Sequence, residues 1–250
     1  MPIISYIGAT SGSANNPTSG SWDLPAGWSN NDAAIFCIFS TDSTKVLKEN
    51  SGGAITAIGS GSLSGSYILG YRRLQTGDVG FSWSGSDDSN STTMWGTVVF
   101  RSISTNSVFN TSSIPRAFAN TNDPQSMAVT TTQSGSCVLS FFGKTNDYTS
   151  VDPPSGYLYG VAHSSTTGND ASMGIAYKIL AGAAAETPGA WTLGGGAAGD
   201  DGYTWTGALL TGSFTLTTFK PFVKGDGFSY LYVASGASGK GGGTEGAGRD

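Results

Sequence analysis

Basic residues are scarce in this sequence and are not clustered. The chain of 250 residues has 12 lysines and arginines against 17 aspartates and glutamates, so its formal net charge is −5. Nucleic-acid binding needs a concentrated positive surface that neutralises phosphates, and this composition therefore argues against a nucleic-acid partner. Charged residues make up only 12% of the chain, whereas hydrophobic residues reach 38%. That apolar fraction is enough for a packed core and is unlike the composition of a disordered chain.

Long apolar runs and an export signal are also missing. No stretch approaches the roughly 20 apolar residues that a membrane-spanning helix needs. The first residues, MPIISYIGAT, contain neither a basic n-region nor a long apolar h-region. We therefore expect a protein that is made in the cytoplasm and has no membrane partner.

Cysteine is nearly absent, since Cys37 and Cys137 are the only two in the chain. Each lies inside an apolar run, AIFCIF or SCVLSFF, where a cysteine usually behaves as a small buried hydrophobe. We expect two buried thiols. A single disulfide between them remains the alternative.

Glycine, by contrast, is abundant, with 38 residues, and serine and threonine fill much of the remainder. Glycine and serine disfavour helices, while threonine, valine, tyrosine and tryptophan fit a pleated surface. The composition is that of many short strands joined by turns. It predicts an all-β protein.

One aromatic pattern occurs twice in the chain. The first triplet is Tyr71, Trp83 and Trp95, at steps of 12 residues, and the second is Tyr177, Trp191 and Trp205, at steps of 14. Four of the six tryptophans fall in this pattern, which makes coincidence hard to sustain and indicates an internal duplication. We expect these tryptophans to pack in the core rather than to form a sugar-binding platform.

The strand containing each tyrosine alternates between two kinds of residue. In SYILGYRR, Tyr67, Leu69 and Tyr71 share one face, and in ASMGIAYKI, Met173, Ile175 and Tyr177 do. Arg72 and Lys178 fall on the other face of each strand. The apolar faces should point inward. Arg72 and Lys178 should then lie on a solvated outer face.

The predicted architecture is a β-sandwich of about eight strands, four from each half. DAAIFCIFS and GSCVLSFFGKT open the halves with nearly continuous apolar runs, which are typical of strands covered on both sides. We expect halves over about 21–109 and 125–215 to close around one core, with 110–124 crossing between them. Residues 1–20 are expected to be an N-terminal arm, and residues 216–250 a C-terminal strand followed by a Gly-rich arm.

Several segments of the sequence resemble those of a known group of proteins. LPAGWSNNDAAIFCIFS, SYILGYRR, TVVFRSI, VTTTQSGSCVLSFF, DPPSGY and ASMGIAYKI are similar to segments of the duplicated jelly-roll modules of tailed-phage virion proteins. The resemblance covers about residues 20–215. The first half departs from it, with VLKENSGGAITAIGSGS where the second half has PPSGY.

This resemblance implies a non-enzymatic structural component of a phage particle, found in the virion and assembled in the host cytoplasm. The first interpretation is a capsid decoration or cement protein that binds neighbouring capsid subunits and copies of itself, without a cofactor. The alternative is an adsorption module of a tail or head fibre that binds glycans of the host surface.

One stretch of the sequence contains the three residue types of a hydrolase triad, namely serine, histidine and aspartate. His163, the only histidine, lies close in sequence to Ser164, Ser165 and Asp170, but a catalytic triad is assembled in space rather than along the chain. The sequence has no nucleophile-elbow motif. We therefore expect an ordinary loop histidine.

Paired aspartates precede the last tryptophan of each triplet. Asp87, Asp88, Asp200 and Asp201 supply the hard oxygen ligands that Ca²⁺ prefers. They lack the alternating spacing of a calcium loop, so turn formation is the expected role and a calcium site is the weaker alternative.

Five aromatic residues lie near turns and could be exposed: Trp22, Trp28, Tyr148, Tyr157 and Tyr159. Trp28, Tyr157 and Tyr159 are the glycan contacts of the adsorption hypothesis. Stacking against sugars would need flat, accessible rings.

The C-terminal segment GFSYLYVA alternates well enough to form a strand. Phe228, Tyr230 and Tyr232 share one face of it, and Lys240 follows in the Gly-rich tail. An apolar edge strand is an aggregation hazard unless it is paired. We expect these residues to contact a neighbouring subunit by strand addition, with packing on the chain's own domain as the alternative.

Overall fold

A computed structural model describes residues 3–42, 48–49, 55–62, 65–85, 91–118, 121–146, 148–166, 170–195 and 201–212. The strands of this part of the chain are β1 (Ser5–Asn15), β2 (Ser19–Asp23), β3 (Ala33–Ser40), β4 (Lys48–Glu49), β5 (Thr56–Ser62), β6 (Ser66–Arg73), β7 (Gly80–Ser84), β8 (Thr92–Arg101), β9 (Phe109–Ser112), β10 (Arg116–Phe118), β11 (Val129–Thr130), β12 (Cys137–Lys144), β13 (Ser150–Asp152), β14 (Leu158–Ser165), β15 (Ala171–Ile179), β16 (Ala185–Glu186), β17 (Thr192–Gly194) and β18 (Gly202–Leu209).

All these elements are strands, and the pairings between them are antiparallel, which confirms the all-β prediction. Among the same residues there is no helix of the length and apolar character that a membrane span requires.

Two large sheets dominate the fold. The first has the strand order β1-β8-β3-β6-β5, and the second has the order β10-β18-β12-β15-β14, with β9 also paired to β18. Within the described ranges, three small sheets accompany them, β2-β7-β4, β13-β17 and β11-β16. The described strands exceed the expected eight because segments that were expected to be an arm, a crossing or loops also pair, among them β1, β10 and β14.

Strands β3 and β12 lie in the middle of the two large sheets and are buried along their whole length, as their apolar runs predicted. Their inward side chains, such as Phe39 and Phe141, meet in a central cluster that contains buried residues of both sheets. Their outward side chains, such as Phe36 and Phe142, enter two further clusters. Among the described residues, the two large sheets therefore share one apolar interior, and each sheet has a further apolar layer on its outer face.

Each outer layer lies under a small sheet. The first outer cluster contains Phe36 together with Trp22, Phe81 and Trp83 from the sheet β2-β7-β4. The second outer cluster contains Phe142 together with residues of β13 and β17, and Trp191. Because the large sheets meet through their inward faces, the two outer clusters lie on opposite sides of the sandwich.

Arg72 is not on a solvated face, and this expectation was wrong. Its side chain is 5% exposed, lies 3.2 Å from the Asp78 carboxylate and stacks 4.8 Å from the centroid of the Phe81 ring. The physical reason is the covering sheet, since β7 lies over the outer face of β6. Lys178 is partly exposed and forms an ion pair with Glu186 at 2.8 Å.

The N-terminal segment is part of the sheet, not an arm outside the core. Strand β1 pairs with β8 from Ser5 to Asn15. Ile4 is fully buried, and the ring of Tyr6 stacks on that of Tyr177 at 4.7 Å, so the segment contributes apolar surface to the central cluster. The crossing over 110–124 likewise contains strand β10 and most of β9, both paired to β18.

The last tryptophans of the two triplets do not occupy matching positions. Trp95 is opposite Ile38 and packs against the first outer cluster, whereas Trp205 is opposite Phe141 and lies in the central cluster. Neighbouring positions of a strand face opposite sides of its sheet. Relative to the central strand of its sheet, Trp205 is one position out of register with Trp95, so Trp205 points inward and Trp95 points outward. Trp83, Trp191 and Trp205 are fully buried, as expected, but in three different clusters.

Both cysteines are buried free thiols in the central cluster. Burial raises the pKa of each thiol, because the thiolate loses its hydration. We expect a thiol reagent such as Ellman's reagent to label neither Cys37 nor Cys137 in the native protein and both after unfolding in denaturant. Rapid labelling of the native protein would contradict this packing.

Candidate functional site

The two tryptophans that flank DLPAG belong largely to the core. Trp22 is 8% exposed, donates from Nε1 to the Thr97 hydroxyl at 2.8 Å and stacks on Phe81. Trp28 is half-buried and packs against the first outer cluster. Only part of the Trp28 ring is therefore available to a ligand.

The tyrosines around DPPSGY divide into buried and exposed residues. Tyr148 and Tyr157 are buried in the second outer cluster. The Tyr157 hydroxyl donates to Glu186 at 3.1 Å, and burial, with the nearby Glu186 charge, raises its pKa. Tyr159 is 49% exposed, and its hydroxyl donates to Asp152 Oδ1 at 2.6 Å.

These positions separate the residues of the glycan hypothesis. Trp28 and Tyr157 pack against outer clusters on opposite sides of the sandwich, so they cannot line one groove. Tyr159 is the one of the three whose ring is substantially exposed. A stacking site on the described surface would therefore centre on Tyr159 and Asp152.

Sequence reasoning missed an apolar rim at the start of edge strand β14. Leu158 is 60% exposed and lies opposite Tyr177, while Ile179, two positions farther along β15 on the same face, is 38% exposed. We call Leu158, Tyr177 and Ile179 the β14 rim. The alternation of ASMGIAYKI identified the inward face of β15 but not that the end of this face is exposed. That end is exposed because the first sheet does not extend far enough to cover it.

His163 lies within strand β14, not in a loop as the sequence suggested, at the seam between the two large sheets. Its Nε2 is 3.1 Å from the hydroxyl oxygen of Ser13 on β1, the edge strand of the first sheet. Ser164 instead bonds Ser172 at 2.8 Å. In the part of the chain described, no carboxylate is recorded on the other ring nitrogen, so the contact does not amount to a catalytic triad.

The buried imidazole of His163 should make the stability of the folded protein depend on pH. Burial lowers the His163 pKa below 6.5, because the imidazolium loses its hydration. The unfolded chain therefore binds a proton at a higher pH than the folded chain does, and stability should fall as the pH drops below 6.5. We expect the unfolding midpoint in denaturant to decrease between pH 7.5 and pH 5 less in His163→Gln than in the native protein. Equal decreases would exclude His163 as the cause.

Metal binding finds little support in the described ranges, where no three histidine, cysteine or acidic side chains are grouped closely enough to hold an ion. The backbone oxygen of Asp201 accepts hydrogen bonds from the amide and hydroxyl of Thr145. Asp87, Asp88 and Asp200 lie outside the described residues. The calcium hypothesis therefore stays a prediction.

The predicted assembly contacts, Phe228, Tyr230, Tyr232 and Lys240, also lie outside the described residues. Comparison of the chain with protein-family models, curated proteins and solved structures found no significant match.

Proposed function

We propose that the chain is a structural component of a tailed-phage particle, and specifically a capsid decoration or cement protein that binds neighbouring capsid subunits and copies of itself. The observation that carries the proposal is the β14 rim. There the described surface exposes Leu158 and Ile179 on neighbouring strands, while the large aromatic residues of the sheets are mostly buried. Apolar side chains on a strand at the edge of a sheet are suited to contact with another protein.

A cement protein needs no chemistry of its own. It stabilises a shell by burying surface across neighbouring subunits, and it binds the assembled state in preference to the free subunits. Layers packed on both faces of each large sheet provide a rigid body for this purpose. The protein would be located in the virion, assembled in the host cytoplasm, and would need no cofactor.

We also propose that the sandwich arose by internal duplication and is related to jelly-roll modules. The strand orders support this, since β8-β3-β6-β5 in the first sheet has the same chain order as β18-β12-β15-β14 in the second. The turns before β3 and β12 match as well. Asn31 (φ 70°) donates its amide to the Leu74 carbonyl, and Gly135 (φ 76°) donates to the Leu180 carbonyl, both at 2.8 Å.

Deletion of residues 225–250 tests the role of the predicted C-terminal contacts. We expect the truncated protein to remain folded by circular dichroism and to lose attachment to purified particles of the phage that encodes it. Undiminished attachment would count against these contacts.

The β14 rim is tested separately with Leu158→Ser/Ile179→Ser in the full chain. Ile114→Ser is the matched control, because Ile114 is 85% exposed and does not belong to the rim. We expect weaker particle binding for the double variant alone. Unchanged particle binding would show that the β14 rim is not a contact surface, and the proposal would lose its main support.

The adsorption hypothesis is the second candidate, and the exposed Tyr159 ring with Asp152 beside it favours it. An aromatic face next to a carboxylate can stack on a sugar and accept hydrogen bonds from its hydroxyls. Binding on a glycan array that is lost in Tyr159→Ala would support this role. Absence of binding by the native protein would exclude it for the glycans tested.

A further inference from the structure

A buried lysine lies at the end of β12, on the outer face of the second sheet. Lys144 is fully buried. Its ammonium group donates to the Thr121 carbonyl at 2.8 Å, to the Tyr148 hydroxyl, and more distantly to Asn122 Oδ1 at 3.5 Å. The ammonium also lies 4.9 Å from the centroid of the Tyr148 ring.

The partners of Lys144 contact each other. The Tyr148 hydroxyl, which accepts from Nζ, donates to the same Asn122 Oδ1 at 3.2 Å. Tyr148 is 4% exposed, and Asn122 is half-buried. An amine, a phenol and a carboxamide therefore form a closed triangle that is largely shielded from water.

Burial of an ammonium group is costly unless the surroundings compensate for its lost hydration. The first sheet does not use a charged residue at the corresponding strand end, since β3 ends at Ser40. A reaction that replaced the ammonium by a neutral group would remove this cost. The carboxamide of Asn122 is a suitable reaction partner.

We propose that Lys144 and Asn122 form an intramolecular isopeptide bond. The Nζ–Cγ bond forms and the Cγ–Nδ2 bond of the asparagine breaks. The lysine ammonium and the carboxamide are converted into a secondary amide and an ammonium ion, so atoms and charge balance without an oxidant or a co-reactant.

Tyr148 is placed to assist both stages of this reaction. As its oxygen takes a proton from Nζ, its own proton passes to Asn122 Oδ1, which leaves the amine neutral for attack and activates the carboxamide. Protons from Nζ and Oδ1 then pass to the departing nitrogen, which leaves as ammonium. The shielded surroundings keep water from competing for the carbonyl carbon. The ammonium leaves from the half-buried Asn122 side.

The bond would fasten the crossing between the halves to the second sheet. Asn122 already accepts, through its backbone oxygen, a hydrogen bond from the Leu193 amide of β17 at 3.1 Å. The link would therefore join the crossing covalently to β12 next to the small sheet that covers the second outer cluster. This role is independent of the partner that the protein binds.

Intact-mass spectrometry of the full-length purified chain tests the proposal directly. We expect a mass about 17 Da below that of the sequence, which corresponds to the loss of one ammonia. Tryptic mapping should yield one branched peptide that joins the segments containing Lys144 and Asn122. Lys144→Arg and Asn122→Ala should each show the mass of their own sequence and no branched peptide.

Two further variants exclude other sources of the same mass loss. Asn110→Ala removes a half-buried asparagine that is not part of the triangle and should retain the deficit, whereas Tyr148→Phe should slow its appearance after synthesis at least tenfold. A full sequence mass for the native chain would overturn the proposal. So would a deficit that persists in Lys144→Arg, since it would arise from cyclisation of an asparagine without the lysine.

Discussion

Replacing Trp191 by alanine is expected to lower the free energy of unfolding by about 3–5 kcal/mol. Trp191 is fully buried, its ring lies 4.7 Å from that of Phe142, and its Nε1 donates to the Ser140 hydroxyl at 2.9 Å. The substitution removes the largest side chain of the second outer cluster and one hydrogen bond. In a protein of this length, the loss corresponds to a decrease in Tm of roughly 10 °C.

Trp28→Ala is the matched control, because it removes the same side chain from a half-buried position. We expect it to cost less than half as much as Trp191→Ala when both are measured by denaturant unfolding at pH 7. Equal costs would show that Trp191 does not fill a closed interior, and would contradict the assignment of a second outer cluster.

Filling Gly143 should drive the two large sheets apart. A β-carbon at this position would lie 2.9 Å from ring atoms of Phe39, which belongs to the other sheet. Overpacking of this kind typically costs about 1–3 kcal/mol, and we expect Gly143→Val to lie at the upper end because both strands are central. Gly182→Val is the control, since no atom lies within 4 Å of a β-carbon there.

A double-mutant cycle makes the test specific to the contact between the sheets. Phe39→Ala alone leaves a cavity, whereas Phe39→Ala in the Gly143→Val background leaves space for the valine. We expect the double variant to lose less free energy of unfolding than the two single variants lose together, by about 1–3 kcal/mol. Strict additivity would mean that Phe39 and Gly143 do not face each other.

The large strands were predictable because their patterns are local. The apolar runs of β3 and β12 identified strands covered on both sides, and the alternation in β6 and β15 identified the inward faces. Periodicity reports which side chains avoid water, and for these four strands that information is sufficient. Glycine, serine and threonine content excluded helices for the same local reason.

The errors arose where burial depends on distant segments. Arg72 alternates as an outward residue, and it does point outward, but β7 covers that face. Strand β1, with its many glycines and serines, pairs with β8 although its composition resembles that of an arm. The matching of Trp95 with Trp205 failed because a repeated order of residues along the chain does not fix strand register.

The candidate sites were harder to predict than the fold. DPPSGY suggested exposed tyrosines, yet only the covering sheet β13-β17 determines that Tyr157 is buried while Tyr159 is not. The Lys144 triangle joins the end of β12 to a segment more than 20 residues earlier, and no motif marks it. Such contacts depend on how the crossing between the halves packs.

Hydrogen exchange under native conditions is the measurement that tests the central claim most directly, namely that two sheets from two halves of the chain share one apolar interior. With increasing denaturant, we expect the amides of β3 and β12 to converge on the same opening free energy, because neither sheet can keep its inward face covered alone. Persistent protection of β12 after the amides of β3 have exchanged would show that the halves are separate units and would contradict the account.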